Sequence, residues 1–535
     1  MGTDALPAGS VDVAIIGGGH NGLVAAAYLA RAGRRAVVLE RRHVVGGAAV
    51  SERPFGPDYL VTSLSYVVSL LPADMVRDLR LREHGYHVYP QGPYFAPRRD
   101  GTYLSLPADP ALRHQRIAAF AEADARAYER WEAWLAGLGR LVGPLLHRIP
   151  PKLGSKRPRD LLDQAALLPI LRNLDVRSAF DLTRLFTSSI ADLVENWFAS
   201  DAMRGLLSVS GVIGTWAGPR SPGTAFVMLH HHLDQSGSSG AGWGFPRGGM
   251  GAVTEALAAS ARSFGATILT DAEVARIEVR DEAATGVTLA DGRSIDARTV
   301  ITTAHPAISF LRLVDRAALP PDFVQDIEAW RSRSGTVKVN LAVDRLPVFT
   351  AHPQPDPQIY GGTIVLAESL EEIETSFQEA VAGRAATRPF ADLCIPSVFD
   401  DTLAPEGGHV ISAFTQWVPH TWADVPDPAE LAAYADRLVQ RLDQLAPGFA
   451  SSIVGRQVIG PHELQTEYGL VGGNIFHGEL TPGQLFHCRP AAGYADLSTP
   501  IRGLFQAGSA THGGGGVTGI PGRNVARRVL RGGRR

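Results

Sequence analysis

Three glycines, Gly17, Gly19 and Gly22, follow the apolar run Val11–Ile16 with the spacing GxGxxG. In this pattern the first glycine permits a tight turn, the second lets the backbone approach a pyrophosphate, and the third lets the next helix pack closely on the strand. The free amides and the positive dipole end of that helix favour an anion. The spacing therefore predicts a site for the pyrophosphate of a dinucleotide.

An acidic side chain ends the next apolar strand. The helix expected at residues 23–32 stops at Gly33, and the strand Ala36–Leu39 leads directly into Glu40. A carboxylate roughly 20 residues past the glycines hydrogen-bonds ribose hydroxyls and repels a 2′-phosphate. Glycine-rich turns also serve as plain loops, but the ordered series of strand, glycines, helix, strand and acid favours nucleotide binding. Only one GxGxxG motif stands in a complete series of strand, glycines, helix, strand and acid, so NAD(P)H is not expected as a co-substrate.

A glycine pair follows Glu40. Gly46 and Gly47, in ERRHVVGGAA, resemble the second glycine signature of glutathione-reductase-like and amine-oxidase-like flavoproteins, which lies near the FAD pyrophosphate. The GxGxxG spacing alone does not separate NAD from FAD. The resemblance favours FAD, bound non-covalently.

The C-terminal sequence LFQAGSATHGGGGVTGIPGRNVARRVL is the second glycine-rich signal. A strand expected at residues 504–507 meets Gly508, then the glycine run 513–516 and Gly519, and a short helix follows. Such glycines let a planar or anionic group approach the backbone. A flexible tail is the alternative interpretation, but a tail does not normally resume as an apolar helix.

Composition bounds the class of protein. The chain has 535 residues and is 45% apolar, so it can form about two to four domains. Its 51 basic and 54 acidic residues nearly balance, so no overall positive charge attracts nucleic acid.

Cys394 and Cys488 lie far apart, which argues against a disulfide framework and for a reducing compartment. The N-terminus has no basic and apolar signal-peptide regions, which predicts a cytoplasmic protein. No apolar run spans a bilayer, whereas peripheral membrane attachment and oligomer formation stay open.

The predicted fold class is α/β, with a Rossmann-like FAD-binding domain of the glutathione-reductase or amine-oxidase type interleaved with a mixed α+β substrate domain. The FAD-binding domain is expected at residues 11–70, 236–310 and 491–535. The substrate domain is expected at residues 71–235 and 311–490. Strands of residues 273–279, 285–289, 294–298 and 299–303 return the chain to the nucleotide domain after a long excursion.

The first substrate-domain segment mixes strands and helices. Residues 86–106 read as strands with a hairpin turn at 99–101. Residues 110–147 carry aromatic and leucine side chains at helical spacing, which we interpret as a packed core face. The apolar-rich helices at 161–198 could flank a port for a lipophilic substrate.

A basic loop and a run of three histidines could each be mistaken for a specialised binding site. The loop 148–159 carries Lys152, Lys156, Arg157 and Arg159, which indicates either a solvated surface or a loop that docks on anionic lipid. His230, His231 and His232 are consecutive and cannot share one helical face, and no HExxH accompanies them. We therefore expect packing or pocket-lining roles and no metal site.

The whole chain resembles the phytoene-desaturase-like branch of FAD-dependent amine oxidases and desaturases. The segments that carry this resemblance are the N-terminal dinucleotide unit, GFPRGGMGAVTEALAASARSFGATILTDAEVARIEV, DGRSIDARTVITTAHP and the C-terminal glycines. Within the branch it is similar to the family of pyridine nucleotide-disulfide oxidoreductase domain-containing protein 2, through ERRHVVGGAAVSE and GLVGGNIFHGELTPGQLFHCRP, and to flavin-type β-carotene ketolases. The two distant cysteines give the word "disulfide" no support.

The resemblance implies a set of FAD-binding residues. Toward the ADP half and pyrophosphate it implies Gly17, Gly19, His20, Asn21, Gly22, Glu40, Arg41, Arg42, Gly46, Gly47 and Ala48, with the Val274 backbone at adenine. Toward the ribityl chain and isoalloxazine it implies Gly508, Ser509, Gly519 and Ile520. Many members of the superfamily carry an Asp where this chain has Ser509.

Lys338, in SGTVKVNLAVDRLP, resembles the superfamily lysine that reaches the flavin N5 through a water. The alternative is an exposed strand lysine. The functional interpretation requires Lys338 on the buried face of its strand, where loss of hydration would lower its pKa.

The leading hypothesis is an FAD-dependent oxidoreductase that removes hydride from a lipophilic isoprenoid or polyene-like substrate, with an apolar tunnel near residues 160–200. In such proteins the flavin does the hard chemistry and the protein orients the substrate. A flavin amine oxidase is the first alternative, and Trp216, Tyr360 and Trp417 are candidates for its aromatic cage. A flavin-binding regulatory protein that acts through protein partners is the second alternative.

Overall fold

The computed structural model describes residues 4, 6, 9–168, 172, 174–233, 243–354 and 356–532 of the chain. Residues 236–242, the first half of the glycine-rich stretch 236–249, therefore lie outside the described residues. In chain order the strands are β1 Val11–Ile16, β2 Ala36–Leu39, β3 Ser51–Glu52, β4 Val61–Thr62, β5 Val88–Pro90, β6 Tyr94–Pro97, β7 Tyr103–Leu106, β8 Gly244–Pro246, β9 Thr267–Leu269, β10 Val274–Arg280, β11 Ala283–Leu289, β12 Ser294–Thr302, β13 Thr336–Val343, β14 Thr363–Leu366, β15 Phe390–Cys394, β16 His409–Gln416, β17 Ile453–Ile459 and β18 Leu504–Gln506.

The described α-helices follow the same order. They are α1 His20–Arg31, α2 Ala73–Asp78, α3 Pro110–Ala118, α4 Glu122–Leu146, α5 Pro158–Ala165, α6 Val176–Thr187, α7 Ile190–Trp197, α8 Asp201–Val212, α9 Thr224–His232, α10 Gly249–Ser263, α11 Pro321–Glu328, α12 Pro357–Tyr360, α13 Leu370–Val381, α14 Pro428–Leu445, α15 Pro461–Thr466 and α16 Ile520–Gly532.

A parallel sheet forms the nucleotide-binding half of the molecule. Its order is β18-β12-β1-β2-β9, and β10 and β11 extend it as antiparallel strands beside β12. Val13 and Ile15 of β1 pack in one core, whereas Ala14 and Ile16 pack in another on the opposite face. Both faces are covered, as the continuous apolar run of a parallel strand requires. This confirms the predicted Rossmann-like fold.

Two boundaries differ from the sequence prediction. Helix α1 begins at His20 and not at residue 23, because Gly19 is the extended residue that precedes it and the last glycine of the motif is already helical. The two strands expected at 294–298 and 299–303 are one strand, β12. Its first half pairs with β11 and its second half lies between β1 and β18, so a change of partners, and not a break, separates the two halves.

A second sheet, in the order β17-β13-β16-β15-β14-β6-β7, forms the other half. Its strands β6 and β7 come from the 71–235 segment and the others from the 311–490 segment, which makes these segments one mixed structure. The domain boundaries themselves stay a prediction. Helices α4 and α7–α9 pack into the same core as parts of this sheet. Trp131 of α4 contacts Trp134, Trp197 and Phe198, which agrees with the interpretation of the aromatic stripe as core.

The approach of α1 to β1 is testable with one added methyl group. A Cβ at Gly22 would lie 2.0 Å from the Gly17 carbonyl oxygen, so Gly22→Ala must push the helix off the strand. We expect a loss of about 3 kcal/mol or more in unfolding free energy and loss of bound flavin, measured by denaturant melts and absorbance.

Gly137→Ala is the matched control. Gly137 lies inside α4, and its added Cβ would meet nothing closer than the Arg140 Nη2 atom at 3.8 Å. Alanine is favoured over glycine in a helix by about 1 kcal/mol, so this variant should be as stable as the parent or more so. Equal melts for Gly22→Ala and the parent would contradict the close-packing argument.

Candidate active site

One elongated cavity runs from the glycine turn after β1 to the face of the second sheet. Its nucleotide end is lined by Gly17, Gly19, His20, Asn21, Glu40, Arg41, Arg42, Gly46, Gly47, Ala48 and Val274. Its far end is lined by Leu64, Tyr66, Val67, Leu70, Ile213, His230, His231, Trp243, Lys338, Phe414, Ile475, Phe476, His477, Ser509, Gly516 and Val517. The cavity thus joins both halves of the fold.

The nucleotide end is built by backbone groups around Glu40. The Gly18 N–H donates to Glu40 Oε2 at 2.7 Å, and the Arg42 N–H donates to Oε1 at 2.9 Å. The Gly46 N–H donates to the Gly18 carbonyl at 2.9 Å, so the second glycine pair closes against the first turn. Gly46 has φ +125°, which favours glycine. Glu40 therefore orders the turn and still lines the cavity.

Polar atoms without partners mark the cavity at both ends. Buried side-chain atoms that lack a hydrogen bond within the protein include His20 Nε2, Asn21 Oδ1, Arg42 Nη1, His230 Nε2, Trp243 Nε1 and His477 Nδ1. Buried polar atoms are almost always satisfied, and all six residues line the cavity. An elongated ligand with polar groups along its length, such as FAD, fits this distribution.

The histidines here are neutral hydrogen-bonding groups. Burial, and then the electrostatic interaction with His477, lowers the pKa of His20 to about 4. Burial, and then His231 and Arg489, lowers the pKa of His230 to about 3. His230 and His231 thus line the cavity without charge, as the pocket-lining interpretation predicts. Among the described residues, no group of three or more His, Cys, Asp or Glu side chains could hold a metal ion.

The C-terminal glycine segment contributes differently from the sequence prediction. Ser509, Gly516 and Val517 line the cavity, whereas Gly22, Gly508, Gly519 and Ile520 do not. A Cβ at Gly508 would lie 2.4 Å from the Thr303 carbonyl oxygen, and one at Gly519 would lie 2.8 Å from Met75 Sδ. These glycines permit close packing of the chain around the cavity. Their contact with the cofactor stays a prediction.

Lys338 is buried, with 1% of its surface exposed, and it lines the cavity. The exposed-lysine alternative is therefore wrong. Its Nζ donates to Ser412 Oγ and lies 4.4 Å from the centre of the Tyr66 ring. Burial lowers the pKa of Lys338 to about 7, so the amine can hold or release a proton near neutral pH.

A second titratable side chain stands behind Lys338. Phe414 pairs with Lys338 on one side and with Asp392 on the other, which puts all three on one face of the sheet. Asp392 is hydrogen-bonded to Tyr66, and burial raises its pKa to about 7. Lys338, Tyr66 and Asp392 form a buried polar group, which we call the lysine cluster.

The proposed aromatic-cage residues lie elsewhere. Trp417 is fully buried between Phe377 and Phe390, and Tyr360 donates to the Pro347 carbonyl at 2.7 Å. Trp216 packs against Phe377 and His420. None of the three lines the cavity. The aromatic residues that do, Tyr66, Trp243, Phe414, Tyr468 and Phe476, carry no local sequence signal, because strand pairing and loop packing bring them together.

The expected tunnel near residues 160–200 is likewise not part of this cavity. No described residue of that range lines it. The helices α5–α7 lie outside, and α8 and α9 reach the cavity through Ile213, which follows α8, and through His230 and His231. None of the described helices combines the length and apolar character that crossing a bilayer requires.

The fold and this cavity define an FAD-dependent oxidoreductase. The profile of the family described as flavin containing amine oxidoreductase matches residues 22–530, and the chain belongs to this family. FAD is accordingly the cofactor, and the unpartnered polar atoms along the cavity fit it.

Relatives support the same classification. Pyridine nucleotide-disulfide oxidoreductase domain-containing protein 2 of Rattus norvegicus is 37% identical over 97% of this chain and 93% of its own. Phytoene desaturase (lycopene-forming) of a Paracoccus species is 25% identical over 95% of this chain and 94% of its own. Both resemblances predicted from sequence are confirmed. Cys394 and Cys488 are free thiols.

A solved structure shows the same fold. Cyclohexylamine oxidase from Brevibacterium oxydans superposes with a TM-score of 0.61, covering 98% of this chain and 100% of that chain, at 18% identity. At this identity the likeness concerns the fold alone.

Glu40 provides a test of the nucleotide end. In Glu40→Gln the single side-chain oxygen can accept from only one of the two N–H groups of Gly18 and Arg42, and the NH2 group faces the other. One buried donor is therefore left unsatisfied, at a cost of about 1–3 kcal/mol. We expect the Kd for FAD to rise at least about tenfold. Titration of the apoprotein with FAD, followed by the quenching of flavin fluorescence, measures this Kd. Glu255→Gln, on the exposed side of α10, is the control and should leave Kd unchanged. An unchanged Kd in Glu40→Gln would remove Glu40 from the site.

Proposed function

We propose that this protein removes a hydride from a neutral, lipophilic substrate of the isoprenoid or polyene type, including carotenoid-like molecules, with FAD as the acceptor. One observation carries the proposal. The far end of the cavity is lined mainly by apolar side chains, its histidines are neutral, and among the described residues no carboxylate lines it. The acidic residues that do line the cavity, Glu40 and Glu273, stand at the nucleotide end beside Val274.

The side chains at the far end would stabilise a cationic substrate poorly. An ammonium group that leaves water needs a carboxylate or several acceptors nearby. The far end offers instead aliphatic and aromatic side chains, neutral histidines, and a lysine that is itself basic. Together with the absence of Trp216, Tyr360 and Trp417 from the lining, this favours a neutral substrate over an amine.

The lysine cluster suits the proton balance of a desaturation. Two C–H bonds break on neighbouring carbons: one hydrogen leaves with its electron pair, the other leaves as a proton, and a C=C bond forms. Bound FAD supplies the hydride acceptor. The neutral Lys338 amine accepts the proton, and the Tyr66 ring 4.4 Å away faces the resulting ammonium. Asp392 behind Tyr66 offers a second site for that proton.

The likeness to phytoene desaturase supports the substrate class. A regulatory flavoprotein without a substrate would not need a cavity that continues past the nucleotide end into the second sheet. The cytoplasmic location and the state of association stay predictions.

The test is an anaerobic titration of the purified holoprotein, with flavin absorbance as the readout. Polyenes and other isoprenoids are offered in detergent, and then a panel of primary and secondary amines. We expect bleaching of the flavin by an isoprenoid and not by amines. Bleaching by amines alone would replace the proposal with amine oxidation.

Lys338 gives a pH-dependent prediction. Because its pKa lies near 7, the neutral fraction of the amine grows as pH rises from 6 to 8, and the rate of flavin reduction by substrate should rise with it. Lys338→Met should lower this rate by about 10²- to 10⁴-fold and abolish the pH dependence. Rapid mixing under anaerobic conditions measures both. Lys152→Met, whose lysine lies over the Tyr494 ring, is the control and should keep the parent profile.

A further inference from the structure

We propose that the outer surface of helices α5 and α6, with the loop before α5, docks this protein on an anionic membrane. The residues of this docking surface are the exposed apolar side chains Leu153, Leu161, Leu162, Val176 and Phe180, together with the exposed cations Lys156, Arg157, Arg172 and Arg177 of the same stretch of chain. A second part, that substrate enters from this side, rests on the proposed function. The docking itself does not.

The first observation is a concentration of exposed apolar side chains. Val176 is 89% exposed and Leu162 is 72% exposed, and Leu153, Leu161, Leu168 and Phe180 are each about half exposed or more. Helix α6 already has an apolar inner face, with Leu185 buried and Phe186 half-buried. Val176 and Phe180, four residues apart, give it a second apolar stripe toward solvent, where a surface helix normally carries polar residues.

The second observation is charge. Residues 148–184 contain eight Lys or Arg and four Asp, whereas the rest of the chain holds 43 basic and 50 acidic residues. Lys156, Arg157, Arg172 and Arg177 are exposed, and the side chain of Arg159 lies outside the described ones. The guanidinium carbons of Arg177 and Arg184 lie 5.5 and 5.7 Å from the centre of the Phe180 ring. Arg177 also pairs with Asp181, its Nε lying 3.0 Å from Oδ2. An apolar ring between two arginines suits the boundary between anionic headgroups and acyl chains.

The positive charge of the docking surface favours an anionic membrane over a second copy of the chain as its partner. If a second copy of the chain covered the surface with two-fold symmetry, it would place the same excess of positive charge on itself, which is repulsive. An anionic lipid surface offers both the opposite charge and an apolar phase. The net charge of the rest of the chain is negative, so the attraction orients the molecule with this side toward the membrane.

The third observation is an aromatic connection from this side to the cavity. Phe186, on the inner face of α6, stacks on Phe226 at 5.0 Å between ring centres and meets Phe486 at 5.6 Å. Phe226, Phe486 and His230 line a small pocket, and His230 also lines the main cavity. Packed apolar rings therefore stand between the docking surface and the cavity, and they offer a lipophilic molecule an apolar environment.

Co-sedimentation of the holoprotein with vesicles tests the docking. The vesicles are pure phosphatidylcholine, or phosphatidylcholine with about one third phosphatidylglycerol. We expect binding to the anionic vesicles at least tenfold stronger than to the neutral ones, and partly reversed by high salt. The double variant Leu162→Glu, Phe180→Glu should lose at least tenfold in binding to anionic vesicles while it keeps its flavin absorbance and its Tm.

Val425→Glu, Val454→Glu is the matched control, because these valines are 73% and 57% exposed elsewhere on the chain. It should bind vesicles as the parent does. The proposal is overturned if the parent does not prefer anionic vesicles or if both double variants bind alike. It is also overturned if sedimentation shows a parent dimer that only Leu162→Glu, Phe180→Glu dissociates, since the surface is then an interface between copies. None of these readouts depends on whether a polyene reduces the flavin, so failure of the proposed reaction leaves this test intact.

Discussion

The close approach of α1 to β1 is the constraint on which the rest of the structure depends. With a glycine at position 22 the helix can lie so near the strand that any side chain would overlap the Gly17 carbonyl. The start of the helix, His20 and Asn21, then lines the cavity, and Glu40 accepts from the Gly18 N–H to fix the turn. Gly522 of α16 makes a similar approach to the Asn21 carbonyl, 2.1 Å for an added Cβ, so the last helix closes on the first. The C-terminal glycines thereby complete a cavity that begins 500 residues earlier.

The second sheet turns this nucleotide-binding unit into an active site. It offers the cavity a face on which apolar and titratable side chains alternate in register, with Phe414 between Lys338 and Asp392. Burial makes charge expensive there, so the pKa values of Lys338 and Asp392 move toward each other and toward neutrality. The same loss of hydration that allows Lys338 to handle a proton raises the cost of any further positive charge at this end of the cavity.

The likeness to amine oxidases and to a phytoene desaturase is compatible with this division of labour. In a fold of this kind one half binds the cofactor, and the lining of the other half is free to differ from protein to protein. In this chain the lining of the second half is mainly apolar. Phe186 of α6 packs on Phe226, which lines a small pocket together with His230.

The sequence by itself determined the parallel nucleotide fold, the cofactor class and the candidate lysine. Each of these rests on a local pattern: an unbroken apolar run, glycines at fixed spacing, or a strand motif. The physical requirements behind such patterns act between residues a few positions apart. Only the tertiary structure decided which glycines line the cavity and which merely pack, that Lys338 is buried beside Tyr66 and near Asp392, and that Trp216, Tyr360 and Trp417 face other cores. Those outcomes depend on strand register and on contacts between residues hundreds of positions apart, and a sequence without pairing information does not encode them locally.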